Sequence, residues 1–214
     1  MLQEHINSSN LTKDANFSSN TIINLHPEAY FKIVYHSLSY AHKGRDKNNW
    51  LEVMGFISGK ITRNKSNTID VIHITKAWPI THGTSVSVKI DNYGKILNNI
   101  LVQLSKNDST ILGWYHSHPS FGLFMSQTDY ETQISYQRLF NKAIALVFDH
   151  TVWSSINTGI EAYRLLPNFS SFEKIPIHAS HEYDMKLNLP LYRLFMDKIT
   201  KNVIIEELEL TNEH

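Results

Sequence analysis

The stretch Gly113–Asp129, "GWYHSHPSFGLFMSQTD", decides how this chain is read. In an extended strand, residues i and i+2 share a face, so His116 and His118 can aim both imidazoles at one point. Pro119 and Gly122 then mark a bend. Ser126 begins a helix that carries Asp129 on its first turn. Strand, turn and helix start would bring two imidazoles and a carboxylate together. The plainer account is also open on these residues. "SQTD" fits a Ser N-cap with an acidic N3 residue, a relative of the capping box, and single histidines on strands more often pack than bind.

Outward from this stretch, helical and strand patterns alternate. "HPEAYFKIVYHSLSYAHKG" reads as a helix with Pro27 in its first turn, a stripe of Tyr30, Ile33, Val34, Leu38 and Ala41, and Gly44 as its stop. "EVMGFISGKIT" and "NTIDVIHITKAW" read as a hairpin, and "PITHGTSVSV" as a loop or short extra hairpin. From about Asp91, the residues Ile96, Leu97, Ile100, Leu101 and Leu104 form one helical stripe. "TILGWYHSH" is a buried strand, "SQTDYETQISYQRLF" a helix, and "AIALVFD" and "GIEAYRLL" two further strands. After Pro167 the chain turns polar and irregular. It ends in a helix whose face carries Leu191, Leu194, Phe195, Ile199 and Val203.

With hairpins in place of repeated βαβ units, the fold class is α/β: one domain around a mixed, mostly antiparallel sheet flanked by helices, with a C-terminal helical extension. The expected division is a flexible tail over 1–25, a catalytic domain over 26–167 and an extension over 168–214. Nine of the first 25 residues are Asn or Ser, which suits a tail.

Composition narrows the chemistry. The 214 residues suffice for one sizeable core. Lys+Arg and Asp+Glu balance at 20 each, which points away from nucleic acid and anionic membrane as partners. No apolar run approaches the roughly 18 residues of a membrane span, and the start lacks a secretory signal, so an intracellular, soluble protein is expected. There is no cysteine, so any metal must be held by His and carboxylates, and any nucleophile is a hydroxyl or a water. Two neutral imidazoles and one carboxylate are three ligands for a tetrahedral zinc with the fourth position left for water, the catalytic pattern. Ser126, beside a helix N-terminus, is placed to donate to an oxyanion.

The spacing His-x-His-x7-Ser-x2-Asp, set in "GWYHSHPSFG" and "S..D..TQ", resembles the signature of the JAMM (MPN+) zinc metalloproteases. The likeness runs from about His26 to Leu166. It is closest in look to the proteasome-lid deubiquitinase and the signalosome isopeptidase subunit. The resemblance implies a single MPN domain of cytidine-deaminase-like architecture that binds one Zn2+ per chain through His116, His118 and Asp129. It also implies a general base at the glutamate of "LEVMGFISGK", Glu52, and Ser126 as oxyanion donor. The implied reaction is removal of ubiquitin or a ubiquitin-like modifier from lysine. Implied partners are that modifier, a related MPN subunit and a proteasome-like assembly, in the cytoplasm or, in a eukaryote, also the nucleus. "AWPITHGTSVSVK" corresponds to the family's insertion that pairs with the modifier's tail. The alternative is a non-catalytic MPN scaffold, although such subunits lack ligands.

Departures from the family pattern are Leu123-Phe124 for its usual Cys-Trp, Gln127 for its Gly, and Asp149-His150 for its Asp-Pro. None removes a ligand. His73 and His82 read as structural or exposed, and His36 and His42 as solvent-facing on the first helix. Neither a Gly-rich phosphate loop nor "HExxH" occurs.

Overall fold

Eight strands and three helices follow in the computed structural model, which describes residues 20–83, 93–154 and 157–179. In chain order they are β1 (Thr21–Leu25), α1 (Pro27–Leu38), β2 (Glu52–Arg63), β3 (Asp70–Gly83), α2 (Tyr93–Lys106) and β4 (Thr110–Ser117). Then come α3 (Gln127–Leu139), β5 (Ile144–Phe148), β6 (Ile160–Leu165), β7 (Phe172–Ile175) and β8 (Ile177–Ala179). One sheet holds all eight strands in the order β7-β6-β5-β4-β2-β3-β1-β8. It is mixed and mostly antiparallel, with parallel pairing only at β4–β5, β1–β3 and β1–β8.

The expected hairpin is β2–β3, antiparallel along its whole length. Its turn is made by Asn64, whose side-chain oxygen accepts from the backbone N–H groups of Thr68 and Ile69 while Asn67 takes a φ of 59°. An Asn side chain that stands in for a backbone acceptor is what such turns select.

β4 alternates its neighbours between two layers. Tyr115 and Leu112 join α1 residues Tyr30, Ile33, Val34 and Leu38 and sheet residues Ile57, Ile72 and Ile74 in the main core. Trp114 joins Met54 and Ala145 in a smaller cluster on the other face, packed by Tyr136 of α3 and by Met125. Each fully buried Leu, Ile or Phe contributes about 1.5–3 kcal/mol, so the α1 face carries most of the apolar stabilisation. Gly55 of β2 leaves room for the Tyr115 ring: a Cβ there would sit 2.4 Å from Cε1 of Tyr115 and 2.3 Å from the Trp78 carbonyl oxygen.

Several boundaries differ from expectation. Residues Thr21–Leu25, within the expected tail, form a strand between β3 and β8, because Ile23 and Leu25 alternate inward and are buried. The sheet also runs past 167, through β7 and β8, where polar residues conceal edge-strand alternation. The α1 stripe is buried as expected, but the helix stops at Leu38, six residues before Gly44. On α2, Ile100 and Leu104 are buried while Ile96 and Leu101 are exposed, since only one edge of the stripe reaches the sheet. His36 and His42, read as solvent-facing, are buried, because the segment around α1's end folds back over the sheet. Residues 1–19, 84–92 and the C-terminal helix expected within 180–214 lie outside the described residues. Among the described residues no helix is long and apolar enough to cross a membrane.

Candidate metal centre

His116 lies on the last turn of pleat in β4, and His118 follows just beyond the strand, its backbone N–H still donating to the Phe148 carbonyl of β5 at 2.8 Å. Both side chains therefore stay on the α3 face. α3 begins opposite them. Ser126 is its N-cap and Asp129 its N3 residue, and the two close a reciprocal capping box. The Ser126 N–H and hydroxyl both donate to Asp129 Oδ2, at 2.7 and 2.6 Å, while the Asp129 N–H donates to Ser126 Oγ at 3.3 Å. The cap and the ligand readings of "SQTD" are thus one arrangement: the cap holds the carboxylate toward the histidines.

The three side chains converge. His116 Nε2 lies 3.0 Å from His118 Nε2 and 3.2 Å from Asp129 Oδ1, and His118 Nε2 lies 3.4 Å from Asp129 Oδ2. All three residues are buried. Ligand atoms bonded at about 2.0–2.1 Å in a tetrahedron stand about 3.3–3.4 Å apart, and one atom from each of the three residues lies within 4.8 Å of the others. The second shell also fits. His118 Nδ1 faces the Gly122 carbonyl at 3.3 Å, an acceptor that would hold the Nδ1 proton if Nε2 bound a metal. His116 Nδ1 is buried without a partner among the described residues.

Electrostatics agrees with a cation site. Burial pushes the Asp129 carboxyl up, but hydrogen bonds from His116, His118 and Ser126 outweigh it and hold the acid well below the usual carboxylate range. Burial lowers His116. For His118 burial also opposes protonation, yet the nearby Asp129 and Glu52 charges and the Gly122 carbonyl raise it overall. An anionic carboxylate facing two imidazoles at hydrogen-bond distance brings to one point three side chains that could hold a metal ion.

Glu52 opens β2. Met54 pairs with His116 across β2–β4, and residues two apart share a face, so Glu52 comes to the histidine end on the same side as the ligands. Burial raises its pKa, His118 pulls it down and Asp129 raises it again, with a net upward shift. A carboxylate that takes a proton more readily than usual suits a general base.

Sequence reasoning missed what anchors this centre. The Trp114 ring stacks on His116 at 4.6 Å and donates from its indole N–H to Gln133 Oε1 at 2.8 Å. Gln133 in turn donates to Gln137 Oε1 and to the Ala143 carbonyl, and Gln137 holds both backbone groups of Leu165. Asp129, Gln133 and Gln137, spaced i, i+4, i+8, form the buried face of α3. A polar stripe at helical spacing on an otherwise weakly amphipathic helix was the available signal. His73 and His82 stay apart from the centre: His73 bonds Thr62 and Asn24, and His82 stacks on Tyr40.

The chain matches the family described as "JAB1/Mov34/MPN/PAD-1 ubiquitin protease" over residues 18–142. It is 33% identical over 118 residues to the 26S proteasome regulatory subunit RPN11 of Candida glabrata, covering 54% of this chain and 37% of that protein. It is 33% identical over 147 residues to the 26S proteasome non-ATPase regulatory subunit 14 of Dictyostelium discoideum, covering 67% and 47%. To the COP9 signalosome complex subunit 5 of Kluyveromyces lactis it is 31% identical over 162 residues, covering 75% and 39%. The chain thus spans less than half the length of these relatives. The solution structure of protein DSY2949 from Desulfitobacterium hafniense aligns at a TM-score of 0.48 and 15% identity over 74% of this chain and 92% of that one, too loose a likeness to bear on fold or chemistry.

Proposed function

The chain belongs to the JAB1/Mov34/MPN/PAD-1 ubiquitin protease family, and on that premise we propose that it is a zinc-dependent isopeptidase that frees lysine from ubiquitin or a ubiquitin-like modifier. The observation that carries this reading is the convergence of His116, His118 and Asp129, with Glu52 delivered to the same face by β2. His116 Nε2, His118 Nε2 and an Asp129 oxygen would hold one zinc. When bound, zinc supplies Lewis acidity and brings the pKa of a water toward roughly 7.

The chain's own residues do the rest. Glu52 takes a proton from the attacking water and returns it to the leaving lysine amine, so the acid and base duties fall on one carboxyl. Ser126, whose hydroxyl now donates to Asp129, would donate instead to the oxyanion that forms at the scissile carbonyl. The Trp114–Gln133 bond and the α3 cap keep the ligand atoms in place before substrate arrives, so little reorganisation remains for the reacting step. The relatives are named as subunits of the proteasome and the signalosome, which supports a working form inside a multi-subunit assembly.

Metal content tests the reading. The purified chain should carry about one zinc, and Asp129→Asn far less, with only the former cleaving an isopeptide-linked ubiquitin-like substrate. Absence of zinc in both proteins after loading at neutral pH would leave a scaffold in place of an enzyme. A zinc-loaded chain inert toward such substrates, alone and in its assembly, would remove the isopeptidase assignment while keeping the metal site.

A further inference from the structure

We propose that Asp149 is a positioning residue for the metal centre: through the loop His118–Gly122 it sets the orientation of the His118 imidazole, and with it which ring nitrogen faces the centre. The inference rests on the zinc-site reading above, and it concerns a residue that stands outside the ligand set.

Asp149 follows β5 and is fully buried. Its carboxylate accepts four hydrogen bonds. Oδ1 takes the Thr151 N–H at 2.8 Å, the Thr151 hydroxyl at 2.7 Å and the Ser120 N–H at 3.2 Å, and Oδ2 takes the Gly122 N–H at 2.7 Å. Two of these donors belong to the loop that follows His118. A buried carboxylate is costly unless its oxygens are satisfied, so the loop amides are held firmly in return.

The loop needs that hold. Ser120 and Gly122 both lie in the left-handed region, with φ of 78° and 93°, a conformation that a non-glycine residue such as Ser120 adopts only when its surroundings impose it. The next peptide is packed as well, since the Tyr163 hydroxyl lies 2.8 Å from the Leu123 carbonyl oxygen and shares its one proton between that oxygen and Glu161 Oε2. Between these two anchors sits the Gly122 carbonyl, the group that faces His118 Nδ1. Asp149 therefore acts on His118 at one remove: carboxylate to Gly122 N–H, Gly122 carbonyl to Nδ1–H, Nε2 to the centre. Outer partners of this kind alter metal affinity about 10–100-fold when removed.

Asp149→Asn separates the links. An amide has one oxygen, which goes to the side with three donors, so its NH2 is left facing the Gly122 N–H. The experiment uses the whole chain loaded with zinc and labelled with 15N at histidine. Long-range proton–nitrogen correlation reads which nitrogen of His118 is protonated, and chelator competition then reads zinc affinity. Wild type should show His118 as the Nδ1–H form. Asp149→Asn should lose the dominance of that form and bind zinc about 10–100-fold more weakly. A folded Asp149→Asn that keeps both the tautomer and the affinity overturns the proposal, even if its melting temperature has fallen. Should Asp149→Asn not fold, Gly122→Ala decides: its Cβ would meet nothing within 4 Å, so the substitution strains only the loop backbone. Weaker zinc binding and a mixed tautomer there support the chain of contacts, and an unchanged pair of readings overturns it. Failure of the wild type to bind zinc would instead strike the zinc-site reading, because Asp149→Asn is compared only with a zinc-loaded wild type.

Discussion

Tyr115 and His116 are neighbours on β4, so they point to opposite faces of the sheet, and each face buries a histidine arrangement of a different kind. On the α1 side, His36 Nδ1 meets the Tyr115 hydroxyl at 2.8 Å. Burial, with His82 and Lys32 nearby, brings His36 down to about 4, and burial pushes the Tyr115 phenol up. Both groups are thus neutral at physiological pH, and the phenol donates to the imidazole. On the α3 side, two imidazoles meet a carboxylate held anionic by their own hydrogen bonds. Burial is common to the two. What differs is the partner: a neutral donor satisfies one lone pair and ends the matter, whereas an anion facing two imidazoles gathers three polar side chains at one point. Depth alone does not set the two histidine arrangements apart; the charge of the neighbour does.

The sharpest way to break this contrast is Glu52→Gln. Isopeptide cleavage should fall about 10²–10⁴-fold while zinc content stays at the wild-type level, measured by single-turnover kinetics and metal analysis on one preparation. Loss of zinc together with rate would move Glu52 into the ligand set and dissolve the division between holding the metal and moving the proton. Ser126→Ala comes next. If the hydroxyl serves the oxyanion, the rate should drop about 10²–10³-fold, against about 1 kcal/mol of stability lost with the cap. A rate that stays near the wild-type value while only the cap's stability is lost would make Ser126 an orienting cap and nothing more.

The smallest effect belongs to the α1 face. The folded-state pKa of His36 lies below its unfolded value of 6.5, so the unfolded chain binds more protons between about 4 and 6.5. Its contribution is fully present above 6.5 and is lost as pH falls toward 4, up to about 3 kcal/mol. His36→Gln, which can still accept from Tyr115, should flatten that part of the stability–pH curve in urea denaturation and leave zinc content unchanged. An unaltered slope would mean that His36 is protonated in the folded protein, and the two faces would be less different than their geometry suggests.

How far the sequence carries can be judged residue by residue. The α1 stripe, the β2–β3 hairpin and β4 were legible because their apolar periods are strong. His116, His118 and Asp129 were legible because their spacing along a strand, a turn and a helix start permits convergence. β1 and β8 were not. Thr21–Leu25 is five residues long beside an Asn- and Ser-rich run, and its strand character comes from parallel pairing with residues some fifty positions away in β3. His36 and His42 were misread for a related reason: a histidine suits a wet face and a satisfied interior equally, and only packing against Tyr115 and the fold-back of the chain decides between them.

By itself, then, the sequence determined the periods, the turn chemistry, the absence of thiol ligands and the donor set that a metal would find. The tertiary structure alone decided which donors share a face, that Glu52 arrives beside them on a different strand, that Trp114 and Gln133 brace His116, and that Asp149 grips the loop behind His118. The physical reason is range. Propensity and side-chain alternation act over a few residues, while hydrogen bonds and burial join groups that lie near in space whatever their distance along the chain.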